Sequence, residues 1–180
     1  MGIFFSAQVL FSFSGHMLLI HYVFKKSMLG TFSQIYIQVV FAVQGTQNKI
    51  LPFFEDEVFK YISGIIKAKE QKSLAVNGMA DHIHILTGLR PGMRISDLVR
   101  DIKNNSTNFI NDNGWVKQKF SWQEGYGAFS YAESNYGNVI EYIKNQKTHH
   151  MKRTFKEEYI GFLKKFNIPF EEKYLFTFYD

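Results

Sequence analysis

His82 and His84 stand one residue apart in "ADHIHILTG", residues 80–88. The stretch is short, apolar and strand-like, and side chains alternate along a strand. The two imidazoles therefore share one face, and Ile83 and Ile85 share the other. Two imidazoles at this spacing can bind one metal ion, although a pair of histidines on a strand also reads as polar surface. A third ligand has to come from elsewhere in the chain. Tyr142 and Gln146 are four residues apart in "YIKNQ" and stack on one face if that segment is helical. Such a helix, laid over the strand, brings an amide to the ion and a phenol beside it. The competing reading makes Tyr142 a core aromatic. His149 and His150 read as cations favoured at a helix C-terminus, with a secondary reading as spare ligands.

Positioning these groups needs a sheet and several helices. "QIYIQVVFAV" (34–43) has the β-branched and aromatic content of a buried strand. "EDEVFKYISGIIKAKEQ" (55–71) spaces Val58, Tyr61, Ile62, Ile65 and Ile66 as a helix, acids first and lysines last. "SLAVNG" and "HIHILTGL" are two further strands joined by a tight turn. Ser96 is a candidate cap for a second helix that buries Ile95, Leu98, Val99, Ile102 and Phe109. "KFSWQEGYGAFSYA" reads as strand fragments around a turn at Gly125 and Gly127. Ser134 is a candidate cap for a third helix through "NYGNVIEYIKNQKTHH", and "TFKEEYIGFLKKFN" is a last amphipathic helix.

The order strand, helix, strand, strand, helix, strand predicts an α+β, ferredoxin-like antiparallel sheet. Helices cover one face, and the tyrosine-bearing helix lies over the face that carries the histidines.

The 180 residues suffice for one domain with a real core. Lysine and arginine outnumber aspartate and glutamate by 21 to 16, a mild basic bias compatible with a nucleic-acid partner. No cysteine is present, which excludes disulfides and thiolate metal sites and fits a cytoplasmic location. Residues 1–24 carry no Asp, Glu, Lys or Arg, and are long enough to span a bilayer. They lack a basic leader and a cleavage motif. We therefore expect residues 1–27 to be an added apolar segment or a misassigned start, and residues 28–180 to be the functional domain.

"DHIHIL" together with "WQEGYGAFSYAESNYGNVIEYIKNQKTHH" resembles the small single-tyrosine transposases of bacterial insertion sequences, in the HUH superfamily (His, hydrophobe, His). The resemblance covers nearly all of residues 28–180. Ala80 stands where that family often has proline, and residues 1–27 have no counterpart. The resemblance implies that His82, His84 and Gln146 bind Mg²⁺ or Mn²⁺ and that Tyr142 is the nucleophile. It implies cleavage and rejoining of single-stranded DNA through a 5′-phosphotyrosine, without a nucleotide cofactor. It further implies recognition of DNA hairpins near element ends and a homodimer that exchanges its tyrosine helices, for which Gly125 and Gly127 offer a hinge. Arg90, Arg94, Arg100, Lys103, Lys117 and Lys119 are candidate DNA contacts, and Trp115 or Trp122 a base-stacking platform or core. Two alternatives stay open: a silent nucleic-acid-binding protein of the same fold, and a metal hydrolase using an activated water.

Overall fold

The computed structural model describes residues 32–179. The expected boundary between residues 27 and 28, and the apolar segment before it, lie outside the described residues. Among the described residues no helix is long and apolar enough to cross a membrane.

Four strands form one antiparallel sheet: β1 (Ile35–Ala42), β2 (Lys72–Gly78), β3 (His82–Leu89) and β4 (Gly127–Tyr131), in the order β2-β3-β1-β4. With α1 (Glu55–Ala68) between β1 and β2, and α2 (Ile95–Asp112) between β3 and β4, this is the ferredoxin-like arrangement the element order predicts. The register pairs His84 with Val40, Leu86 with Gln38, Val40 with Gly127 and Gln38 with Phe129. Directly paired residues share a face. One face therefore carries His82, His84, Leu86, Gln38 and Phe129, and the other carries Ile83, Ile85 and Val39.

The second face packs on α1 and α2. Ile83 and Ile85 are fully buried with Val58, Ile62 and Ile66 of α1 and Leu98, Val99 and Ile102 of α2. Burying such side chains contributes about 1.5–3 kcal/mol each, so this layer is a large source of the sheet's apolar stabilisation. Trp122 and Trp115 belong to this layer. The Trp122 indole donates to Ser106 Oγ at 2.9 Å, and Trp115 stacks on Phe54 with ring centroids 4.9 Å apart. Trp122 is a core residue, and Trp115 is half-buried against the same core.

The histidine face has two covers where the sequence suggested one. α3 (Glu133–Lys144) lies over β2 and β3, burying Val139 and Ile143 against Leu86. α5 (Phe155–Lys165) lies over the β4 side, with Phe162 stacked on Phe129 at 5.1 Å. The expected continuous third helix is broken. α3 ends at Lys144, and after Asn145 a short α4 (Gln146–His150) follows. Asn77 of β2 donates to the carbonyls of Ile143 and Lys144 at 2.8 and 3.0 Å, which satisfies the end of α3 at the break. Lys147 pairs with Glu55 and ties α4 to the start of α1. Neither Ser96 nor Ser134 is a cap. α2 follows Arg94 and α3 follows Ala132, both in extended backbone.

Gly127 lies within β4 and is packed under α5. A Cβ there would meet Tyr159 Cε2 at 2.8 Å and the Phe129 ring at 3.0 Å, so glycine permits a close approach of α5 to the sheet. β4 also lies between this turn and α3, so motion at Gly125 would have to strip a strand from the sheet.

Candidate metal and nucleophile site

Three elements bring polar side chains together on the covered histidine face. Strand β3 supplies His82 and His84, both with no solvent exposure. The α3–α4 segment supplies Tyr142, Gln146 and His150. α5 supplies Glu158, which the sequence reading did not single out. α5 is held at its start by a capping box, in which Thr154 Oγ1 accepts from the Glu157 amide and Glu157 accepts from the Thr154 amide. The first residues of the helix present Phe155, stacked on the His82 ring at 3.9 Å and nearly parallel to it, and Glu158.

Glu158 is the meeting point. Its Oε2 lies 3.2 Å from His84 Nε2, 3.3 Å from His150 Nε2 and 3.6 Å from His82 Nε2. Its Oε1 accepts from Gln146 Nε2 at 3.1 Å and from the Tyr142 hydroxyl. Both sets of expected residues, the histidine pair and the Tyr142–Gln146 pair, thus touch one carboxylate within a single chain. The break at Asn145 lets Gln146 turn inward, where it is fully buried.

The outer partners of the imidazoles set their orientation. His82 Nδ1 lies 2.8 Å from Asp81 Oδ1, so Nδ1 donates and Nε2 keeps its lone pair toward the cluster. His84 Nδ1 lies 3.0 Å from the Gln38 amide, which in turn meets the Tyr131 hydroxyl at 2.9 Å. As placed, Gln38 Nε2 faces Nδ1 and donates to it, which leaves His84 Nε2 to donate to Glu158; ligation by Nε2 requires a proton on Nδ1 and the Gln38 amide turned over to offer its oxygen. The Tyr131 hydroxyl both donates and accepts and serves either orientation.

Burial dominates the electrostatics. It lowers the His82 pKa and keeps that ring neutral, against the pull of Asp81. Burial would raise the Glu158 pKa, but the surrounding imidazoles more than offset it and hold the carboxyl well below its usual range. Burial, then the charge of Glu158, then the hydrogen bond to it, raise the Tyr142 phenol well above its ordinary value.

A divalent cation fits this donor set. His82 Nε2 and Gln146 Oε1 are buried acceptors with no hydrogen-bond partner among the described residues, and buried polar atoms are rarely left so. His82, His150 and Glu158 place ligand atoms within 4.8 Å of one another.

A cleft of about 820 Å³ opens beside Tyr142, and Tyr131, Asn135, Arg153 and Lys165 line it. The six basic residues expected to hold DNA are not gathered here. Arg100 and Lys103 lie on α2, behind the sheet; Arg100 pairs with Asp97 and Asp101. Lys103 Nζ donates to the Gln123 and Gly125 carbonyls, and burial lowers its pKa to about 8. Arg90, at the end of β3, pairs with Glu70. Arg94 precedes α2, and Lys117 and Lys119 lie in the segment between α2 and β4. The charge of these residues was visible in the sequence, but their placement was not. Lys165, which lines the cleft with Tyr142, was missed because it stands in a stretch that reads as a solvated amphipathic helix, and Arg153 because it stands just before that stretch.

Comparison with known proteins bears on the fold and the family. A crystal structure from Deinococcus radiodurans R1, described as that of a transposase, superposes with a TM-score of 0.55 at 21% identity, covering 67% of this chain and 97% of that one. A REP-associated tyrosine transposase bound to a REP hairpin superposes with a TM-score of 0.51 at 16% identity, covering 64% and 68%. At these identities the likeness is one of fold. No curated protein matches the chain by sequence. The family model described as "Transposase IS200 like" matches residues 31–146, from the start of the sheet to Gln146. That span is more than half of the chain, and on it the chain belongs to the IS200-like transposase family.

Proposed function

We propose that this transposase cuts and rejoins single-stranded DNA at element ends, with Tyr142 as nucleophile and with His82, His84 and Gln146 holding Mg²⁺ or Mn²⁺. One observation carries the reading: the Tyr142 hydroxyl and His84 Nε2 are bonded to the two oxygens of the same buried carboxylate. The phenol oxygen attacks a backbone phosphorus, and the bond from phosphorus to the 3′ oxygen breaks. The phenol gives up its proton, the departing 3′ oxygen takes one up, and a 5′-phosphotyrosine remains. A second 3′-hydroxyl reverses the step and joins a new strand, so no nucleotide cofactor is consumed.

Tyr142 rests as a protonated phenol because burial and the negative Glu158 hold it so. Attack requires positive charge brought to that carboxylate. A bound divalent cation would supply this charge and polarise a non-bridging phosphate oxygen, an effect of several kcal/mol. Asp81 and Gln38 orient the two imidazoles. Arg153 and Lys165 are the nearest cations to hold the DNA backbone in the cleft, with Arg90, Arg94, Lys117 and Lys119 as outlying phosphate contacts. Hairpin DNA is the natural partner, as it is for the REP-associated neighbour.

A single chain already brings Tyr142 to its own histidines, so the cluster does not require a partner. We keep a homodimer as a proposal, and helix exchange within it is testable. A mixture of His82→Ala and Tyr142→Phe chains regains activity only if tyrosine helices are exchanged.

The test of function is incubation with single-stranded hairpin oligonucleotides and Mg²⁺ or Mn²⁺, followed by a denaturing gel. A covalent adduct that disappears in Tyr142→Phe supports the proposal. Binding without an adduct supports a silent binding protein, and cleavage that survives the substitution supports a hydrolase.

A further inference from the structure

Glu158 lies twelve residues beyond the end of the family match, on a helix that the match does not include. It is 3% exposed, and among the described residues the basic groups within 4 Å of it are the imidazoles of His82, His84 and His150, none of them a lysine or arginine. A buried carboxylate without a permanent cation is costly, and such groups are retained where they meet a charge that the protein alone does not hold.

The other ligands proposed for this site, two imidazoles and one amide, are all neutral. They would leave a dication buried without compensation, and the two imidazole nitrogens lean toward zinc or copper. A carboxylate oxygen halves the net charge and tilts the set toward Mg²⁺ or Mn²⁺, which prefer oxygen. The geometry is already in place. Glu158 Oε2 is the single atom that all three Nε2 atoms approach, at 3.2–3.6 Å. Oε1 is occupied separately by Tyr142 and Gln146. One carboxylate thus has one oxygen for the ion and one for the nucleophile.

Resting on the reading of His82 and His84 as ligands, we propose that Glu158 is the anionic ligand of the same cation, which makes α5 a working part of the site. The opposite role is a plug: a carboxylate that fills the ion's place and must leave when the ion arrives. The two roles predict opposite effects of neutralising the side chain.

Mn²⁺ titration of the full chain, followed by electron paramagnetic resonance, separates them without reference to activity. Glu158→Gln preserves shape and an acceptor for Tyr142, and circular dichroism checks its fold. As a ligand, Glu158 gives a variant that binds Mn²⁺ at least about tenfold more weakly. Unchanged or tighter binding overturns the proposal. His82→Ala serves as the control for the underlying site: if that variant binds as well as wild type, the histidine reading itself fails. If His82→Ala weakens binding and Glu158→Gln does not, only the role of Glu158 fails. An anomalous difference map from wild-type crystals grown with Mn²⁺ is independent of any variant's folding. An ion in contact with a Glu158 oxygen supports the proposal, and one held by His82 and His84 with Glu158 turned away overturns it.

Discussion

The Tyr142 hydroxyl donates to Glu158, joining the helix that carries the proposed nucleophile to a helix on the other side of the histidine pair. A hydrogen bond to a charged acceptor contributes about 1.5–3 kcal/mol. Gln146 still donates to the same oxygen when the phenol is gone, so the loss should fall at the low end. Tyr142→Phe is therefore expected to lower stability by about 1–2 kcal/mol in urea unfolding and to leave Mn²⁺ binding intact. A stabilised variant would mean that the bond contributes nothing in solution.

Glycine is required at two positions by close approach. At Gly78 a Cβ would lie 2.3 Å from the His82 carbonyl oxygen and 2.8 Å from Ile83 Cα, which are backbone atoms that cannot step aside. At Gly127 the obstacles are the Tyr159 and Phe129 rings. Overpacking costs about 1–3 kcal/mol where side chains can shift. Thermal unfolding should show Gly78→Ala as the more damaging of the two. The reverse order would contradict the tight β2–β3 turn.

Ser106 sits in the middle of α2, bonded to the Ile102 carbonyl at 2.7 Å, and it accepts from the buried Trp122 indole. Ser106→Ala leaves that N–H without its acceptor, at a cost of about 1–3 kcal/mol. Trp122 fluorescence should report the changed environment in the folded variant. An unaltered emission and melting curve would show that the indole has another partner.

Alkaline pH tests the packing of α5. Burial raises the phenols of Tyr131 and Tyr159 from 10.0 to about 12. Between these values the unfolded chain loses protons that the folded chain keeps. Stability therefore falls as pH rises through this window, and the contribution is fully present below pH 10. Urea unfolding across the window should show this decline, and Tyr159→Phe should flatten it. A decline of equal slope in the variant would place Tyr159 in water.

The sheet was legible because its signal is local. Alternation in "HIHIL" places the histidines on one face without reference to the rest of the chain, and the register agrees. Tyr142 and Gln146 were legible as a pair, but not the break between them. Nothing in "YIKNQKTHH" stops a helix, and α3 ends where Asn77 of a different element takes its last carbonyls. Glu158 was hidden for a related reason. In "TFKEEYIGF", Glu157 caps its own helix while Glu158 is buried, and two adjacent acids on an amphipathic helix look alike until the neighbouring layer is known. His150, read as a helix-end cation, faces the same carboxylate. The positions of the basic residues were not legible, because a charge in sequence does not show whether an internal partner already holds it, as Asp97 and Asp101 hold Arg100.

The most direct test of the account is to locate the covalent bond to DNA. Full-length protein is incubated with a single-stranded hairpin substrate and Mn²⁺, digested, and its peptides are read by mass spectrometry. We expect a nucleotide joined through its 5′-phosphate to Tyr142, and no such peptide when a chelator removes the ion. A 5′-phosphate bond on any other side chain, or cleaved DNA with Tyr142 unmodified, would contradict it.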